Sequence, residues 1–167
     1  IEDKLEQVAK ALDTAQEALD KQNKEKQEFK DATEKADLTE ESLKVALKQE
    51  IGQGLVSVEK QEDKVIVTVG AGGAFPSGTA QLTPAARKIM SNIAEINKKG
   101  SSTIKVTGHT DNVPLLFGSQ YRDNWDLAAA RAASVVQNLQ ETNVIDAKRL
   151  IATSKGETQP IASNQTI

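Results

Sequence analysis

Apolar residues open the chain in a repeating order. Ile1, Leu5, Val8, Leu12, Ala15 and Leu19 follow one another by alternating steps of four and three. That is the a/d seam of a helix that pairs with another helix. Continued in the same register the seam meets Gln22, Lys26 and Phe29, so it turns polar, and neither Gly nor Pro interrupts residues 1–36. The pattern predicts one long helix there, either a coiled-coil stalk joining two chains or a solvated amphipathic helix. Asp37 and Glu40 have the spacing of a capping box and predict a fresh helix start. The helix after it carries Leu43, Ala46, Leu47 and Ile51 on one face and stops at Gly52 and Gly54.

Beyond this point the period changes. "LVSVE" and "KVIVTV" read as two short strands around the polar turn "KQED". "GAGGAFPSGTAQ" is a Gly-rich loop, but it lacks the GxxxxGK[ST] order that wraps phosphates. Thr83 followed by Pro84 marks a helix start, with Ile89, Met90, Ile93 and Ile96 as its apolar stripe. "STIKVTG" is a strand ended by Gly108, which would permit a sharp exit. A polar loop runs from Asn112 to Asp123. Asn124 to about Gln140 is helical, with Ala128, Ala132, Val135 and Leu139 facing a core, and "RLIATSKGE" supplies a last strand. This order predicts an α+β sandwich: a β-α-β-α-β sheet with helices on one face, preceded by the long N-terminal helix.

Composition narrows the chemistry. Aromatics are 3 % of the 167 residues, which argues against the stacking platforms of single-stranded nucleic-acid binders. A net charge of −3 gives no electrostatic case for a polyanionic partner. There is no cysteine and one histidine, so neither disulfides nor a side-chain metal site is expected, and no cofactor is implied. No stretch has the length of a membrane span. The first residue is Ile1 rather than Met, so the sequence is expected to be a fragment, which leaves room for a membrane anchor upstream.

The candidate chemistry lies in "TGHTDNVPL". Asp111 falls just past the end of a strand, where sites in open α/β sheets form. On the following helix Asn124, Leu127 and Arg131 are spaced i, i+3, i+7 and make a stripe distinct from the alanines and valines facing the core. An acid at the strand end therefore meets an arginine near the positive start of a helix. One fixed negative and one fixed positive charge suit a zwitterion, whose carboxylate Arg131 would hold with two parallel hydrogen bonds. A structural Asp111–Arg131 pair is the alternative. His109 alternates to the other face from Gly108 and Thr110 and has no second ligand or nucleophile beside it. Tyr121 and Trp125 read as packing residues.

"TGHTDNVPL", "NWDLAAARAASVVQNL" and "RLIATSKGETQPIASNQT" together resemble the OmpA-like peptidoglycan-binding domain. "DNVP", "NWDL" and "FPSGTAQLTPAARKIMSNIAEI" look most like its version in flagellar stator B subunits of the MotB and PomB type. The resemblance covers about residues 45–167. It implies that Asp111 and Arg131 hold the diaminopimelate of the peptidoglycan stem peptide, supported by Thr110, Asn124 and Leu127, with His109 as framework. It implies two parts: a helical stalk over residues 1–36 and a wall-binding domain over 37–167. It also implies no enzymatic activity, a periplasmic location below an inner-membrane anchor, a homodimer, and a stator A subunit (MotA or PomA) as partner. The alternative is an OmpA-like cell-wall anchor of an outer-membrane protein, a lipoprotein or a non-flagellar stator relative. Two departures stand out. Leu127-Ala128 replaces the family's usual "LS", and the sequence stops before the "NRRVEI" segment that supplies a last strand, so that strand is either absent or beyond this sequence.

Overall fold

The computed structural model describes residues 1–159, apart from the side chains of residues 71 and 72. Its elements in chain order are α1 (Glu2–Ala46), α2 (Lys48–Gly52), β1 (Val56–Gln61), β2 (Lys64–Val69), α3 (Ala71–Ala74), α4 (Pro84–Asn97), β3 (Ile104–Gly108), α5 (Asn124–Glu141), a 3-10 turn (Ala147–Arg149) and β4 (Leu150–Ser154). Two compact units emerge. One comprises Ile1–Glu40 with Glu59–Ile66; the other comprises Glu41–Val58 and the chain from Val67 on.

In the first unit, α1 is a continuous helix that does not restart at Asp37. The expected capping box fails for a local reason: no Gly or Pro breaks the backbone hydrogen bonds there. Thr39 turns its hydroxyl back to Lys35 O at 3.0 Å, as a mid-helix threonine does. The Asp37 carboxylate accepts from Lys60 Nζ on the hairpin tip instead of capping. The tip itself is the two-residue turn Glu62-Asp63, with Glu62 at φ 58°. Leu5, Val8, Leu12 and Leu19 are all exposed, so a single chain leaves the a/d seam uncovered. Only weak exposed pairs decorate the helix, such as Lys10–Glu6 at 3.5 Å.

In the second unit the apolar stripes converge. Leu43 and Leu47 are buried, whereas Ala46, expected beside them, is exposed. The helix breaks at Leu47 (φ −105°, ψ 17°) and resumes as α2, with Leu47 N–H and Ile51 N–H still bonded four residues back. Thr83 caps α4 by accepting from Ala86 N at 3.2 Å, and its hydroxyl donates to Gly73 O at 2.6 Å. Ile89 and Met90 of the α4 stripe are buried; Ile93 and Ile96 are half-buried. A core cluster of Ala74, Phe75, Leu82 and Ala86 joins the Gly-rich loop to α4, with Val69 and Val135 packed on it. Because Thr83 closes both the helix and this loop, Thr83→Ala should cost about 1–2 kcal/mol, at the upper end for a lost cap. Urea unfolding checks it; an unchanged midpoint would remove Thr83 from this role.

The strands form two two-stranded ladders, β1–β2 and β3–β4. β3 and β4 run parallel, Ile104 opposite Leu150 through Gly108 opposite Ser154, with α5 as the crossover between them. Thr107 and Thr153 pair their hydroxyls at 2.9 Å on this ladder. The α+β class is the one read from the sequence. Part of the expected C-terminal motif, including its "SNQT", and the question of a missing last strand lie outside the described residues.

Candidate functional site

The ladder continues past the strand ends and shapes the site. Lys155 N donates to Gly108 O at 3.0 Å and Thr110 N to Gly156 O at 2.9 Å, tying the loop after β3 to the turn after β4. Gly108 does not serve as a sharp exit, because its φ is not positive. Its role is close packing: a Cβ there would sit 2.0 Å from Ala128 O on α5. The absent side chain lets the helix approach the strand end, bringing the first turns of α5 beside Asp111.

Asp123 begins α5 by accepting from Asp126 N at 2.9 Å, while Asp126 accepts from Arg122 N at 3.0 Å. Asn124, buried, then uses its one amide nitrogen twice, donating to Asp111 O and to Val113 O, each at 3.2 Å. Thr110, also buried, donates its hydroxyl to Asp111 O at 3.0 Å. The Asp111 side chain is exposed and accepts from Val113 N at 3.1 Å, closing a small turn. Backbone and side chain of Asp111 are thus both held.

Arg131 is 9 % exposed. Nε donates to Thr79 O at 2.8 Å, and the guanidinium lies 5.0 Å from the centre of the Phe75 ring. Burial lowers its pKa; Asp111, and after it Tyr121, act in the opposite direction. The guanidinium remains charged at any physiological pH. Among the described residues no ion pair joins Asp111 to Arg131, and the two Nη groups have no hydrogen-bond partner. The charges feel each other without touching. This is not the direct structural pair left open by the spacing.

One expectation needs correction. Asn124, Leu127 and Arg131 do not form a stripe apart from the buried face of α5: all three are buried together with Ala128 and Ala132. The Gly-rich loop covers that side as well, with Ser134 Oγ donating to Ala80 O at 2.5 Å. Leu127 is 4 % exposed and belongs to the core. Trp125 is half exposed, but its ring lies against Gly156, whose φ of 51° and 3.0 Å clearance both disfavour a side chain. Phe75 and Thr79 went unnoticed as parts of the site. They lie more than fifty residues before Arg131, and only the aromatic in an otherwise small-residue loop hinted at them.

His109 is half-buried and its Nδ1 is enclosed without a protein hydrogen bond. Among the described residues no group of three or more His, Asp or Glu side chains could hold a metal ion. Nor, among them, is any helix long and apolar enough to cross a membrane.

Comparison with known proteins places the fold. The OmpA family profile matches residues 74–167, more than half the chain, spanning the Gly-rich loop, Asp111 and Arg131. The chain belongs to the OmpA family. This OmpA-family chain is 36 % identical over 106 residues to motility protein B of Bacillus subtilis, covering 61 % of this chain and 39 % of that protein. Its fold matches a MotB-like protein from Desulfovibrio vulgaris with a TM-score of 0.73 at 21 % identity, over 83 % of this chain and 85 % of the other. The cell wall anchor of the T6SS from Pseudomonas aeruginosa aligns with a TM-score of 0.65 at 31 % identity, over 74 % and 85 % of the two chains.

Proposed function

We propose that this chain is a non-enzymatic peptidoglycan anchor, the periplasmic part of a flagellar stator B subunit that fixes a torque-generating ion channel to the cell wall. The observation that carries the reading is Arg131: a guanidinium buried against Phe75, with two donor groups unspent, facing the charge of Asp111 without pairing to it. A residue bearing both ammonium and carboxylate, such as diaminopimelate in the stem peptide, supplies the missing partner for each. Thr110 and Asn124 fix the loop that presents Asp111, and Leu127 is buried on α5 between Asn124 and Arg131. Similarity to motility protein B supports the stator assignment. Cosedimentation with purified sacculi tests the anchor: the chain should pellet with them and be released by excess free diaminopimelate. A chain that stays in the supernatant ends the reading.

The similarity to the cell wall anchor of the T6SS favours a second reading, a wall anchor of another envelope machine or an OmpA-like lipoprotein. The pocket chemistry is the same in both; what precedes the chain distinguishes them.

Residues 1–36 serve in this reading as the stalk of a homodimer, and residues 37–167 as the wall-binding part, with the stator A subunit contacted through an inner-membrane segment outside this sequence. Support for the stalk comes from the uncovered seam of Leu5, Val8, Leu12 and Leu19, since contiguous apolar stripes are covered in stable proteins. The intact chain should sediment as a dimer and the chain lacking residues 1–36 as a monomer. Equal monomeric behaviour of both would remove the coiled coil.

A further inference from the structure

A second concavity adjoins the Asp111 loop. It has a volume of about 320 Å³, at the small end of ligand pockets and enough for one amino-acid residue. Pro114 and Leu115 form an apolar wall; Asn112, Arg122, Asp123 and Glu157 supply the polar one. Asn124 is common ground: it lines this cleft and its amide holds Asp111 O and Val113 O on either side of Asn112. The opposite rim is held too, because Thr110 N donates to Gly156 O, immediately before Glu157. The cleft and the candidate pocket are therefore built from one bonded frame.

Its charges are partly committed. Asp123 caps α5, and Arg122 Nε lies 3.7 Å from Asp126 Oδ2. Glu157 has no hydrogen-bond or ion-pair partner among the described residues, and neither does the Asn112 side chain. One cation among two lining acids leaves the cleft net negative by one charge. A carboxylate entering it would face Glu157 and Asp123 and find Arg122 already shared. A neutral amide fits better: its N–H groups donate to Glu157, and its oxygen accepts from Arg122 or Asn112.

Resting on the wall-binding reading, we propose that this cleft is a second subsite for the residue next to the zwitterion in the stem peptide, and that it selects an amide there over a free carboxylate. Specificity of this kind comes from the repulsive element as much as from the attractive one.

Calorimetric titration of the full chain tests the proposal with three probes: free diaminopimelate, a stem tripeptide whose adjoining residue carries a free carboxylate, and the same tripeptide with that carboxylate converted to a primary amide. The amide form should bind about two- to fivefold more tightly than the carboxylate form, the range of one exposed charge contact. Glu157→Gln should abolish the difference. Arg122→Gln should weaken the amide peptide and leave free diaminopimelate unchanged. Both side chains are exposed, so neither variant endangers the fold. Equal binding of the two peptides, or a preference that survives Glu157→Gln, overturns the subsite. Arg131→Lys separates the two ideas: it should weaken all three probes. If it weakens none, the zwitterion pocket is wrong, whereas the amide preference is still read from the ratio of the two peptides. Absence of binding by any probe sinks both.

Discussion

Sacculus binding should fall about tenfold to a hundredfold in Arg131→Lys, and by a similar factor in Asp111→Asn. Under the wall-binding reading each change removes one charge-assisted contact to the zwitterion, worth roughly 1.5–3 kcal/mol, and 1.4 kcal/mol is about tenfold. The two variants are chosen for what they keep. Lysine retains the charge but cannot offer two parallel donors or place a planar, delocalised cation 5.0 Å from the centre of the Phe75 ring. Asparagine retains an oxygen able to accept from Val113 N, so the loop keeps its turn while the charge is lost. Arg131→Ala is a poorer test because it also strips the half-buried Thr79 O of its donor. Pelleting assays with sacculi, with circular dichroism and thermal unfolding as controls, read the result. Folded variants that pellet as fully as the parent would place the binding surface elsewhere.

Gly108→Ala is expected to be the most damaging single-methyl change in the second unit. Its Cβ would fall 2.0 Å from Ala128 O and 2.8 Å from Ala128 C, both backbone atoms that cannot rotate aside. Strand end and helix would have to separate, at about 3 kcal/mol or more for overpacking of this kind. At this size that corresponds to a melting temperature lower by roughly 6–12 °C. Gly52→Ala is the internal control, since nothing lies within 4 Å of a Cβ there and its φ is not positive. Thermal unfolding of both variants checks the contrast. A Gly108→Ala protein as stable as Gly52→Ala would mean that α5 does not sit on the strand end as described.

The readable parts of this chain are those governed by local rules. Thr83-Pro84 announced α4 because capping is decided within four residues, and the stripe Ala128, Ala132, Leu139 announced the buried face of α5 because its period is intrinsic to a helix. Where a local rule competed with a stronger one, the sequence misled. Asp37 and Glu40 have capping spacing, yet an uninterrupted helix loses nothing by running through them, and Lys60 offers Asp37 a partner that no spacing reveals. The two charges of the candidate site, Asp111 and Arg131, were named from the sequence. Their seat was not, because Thr79 O, Phe75 and the backbone of Ala128 reach the site only through tertiary packing. Gly108 shows the limit most clearly: its presence signals a constraint, while the nature of the constraint depends on a helix twenty residues further on.

The unspent Arg131 makes folding and anchoring parts of one equilibrium. Its guanidinium is partly desolvated against Phe75 and makes one protein hydrogen bond, which leaves the remaining donors for a ligand. Whatever ligand completes it binds the folded chain alone, and by mass action adds RT ln(1 + [L]/Kd) to the free energy of unfolding. Under the wall-binding reading, the cell wall presents that ligand at high local density. Molecules seated on it are then the most resistant to unfolding and proteolysis, and those adrift are the first to be lost. The population engaged with the wall would thus be kept up by turnover as well as by affinity.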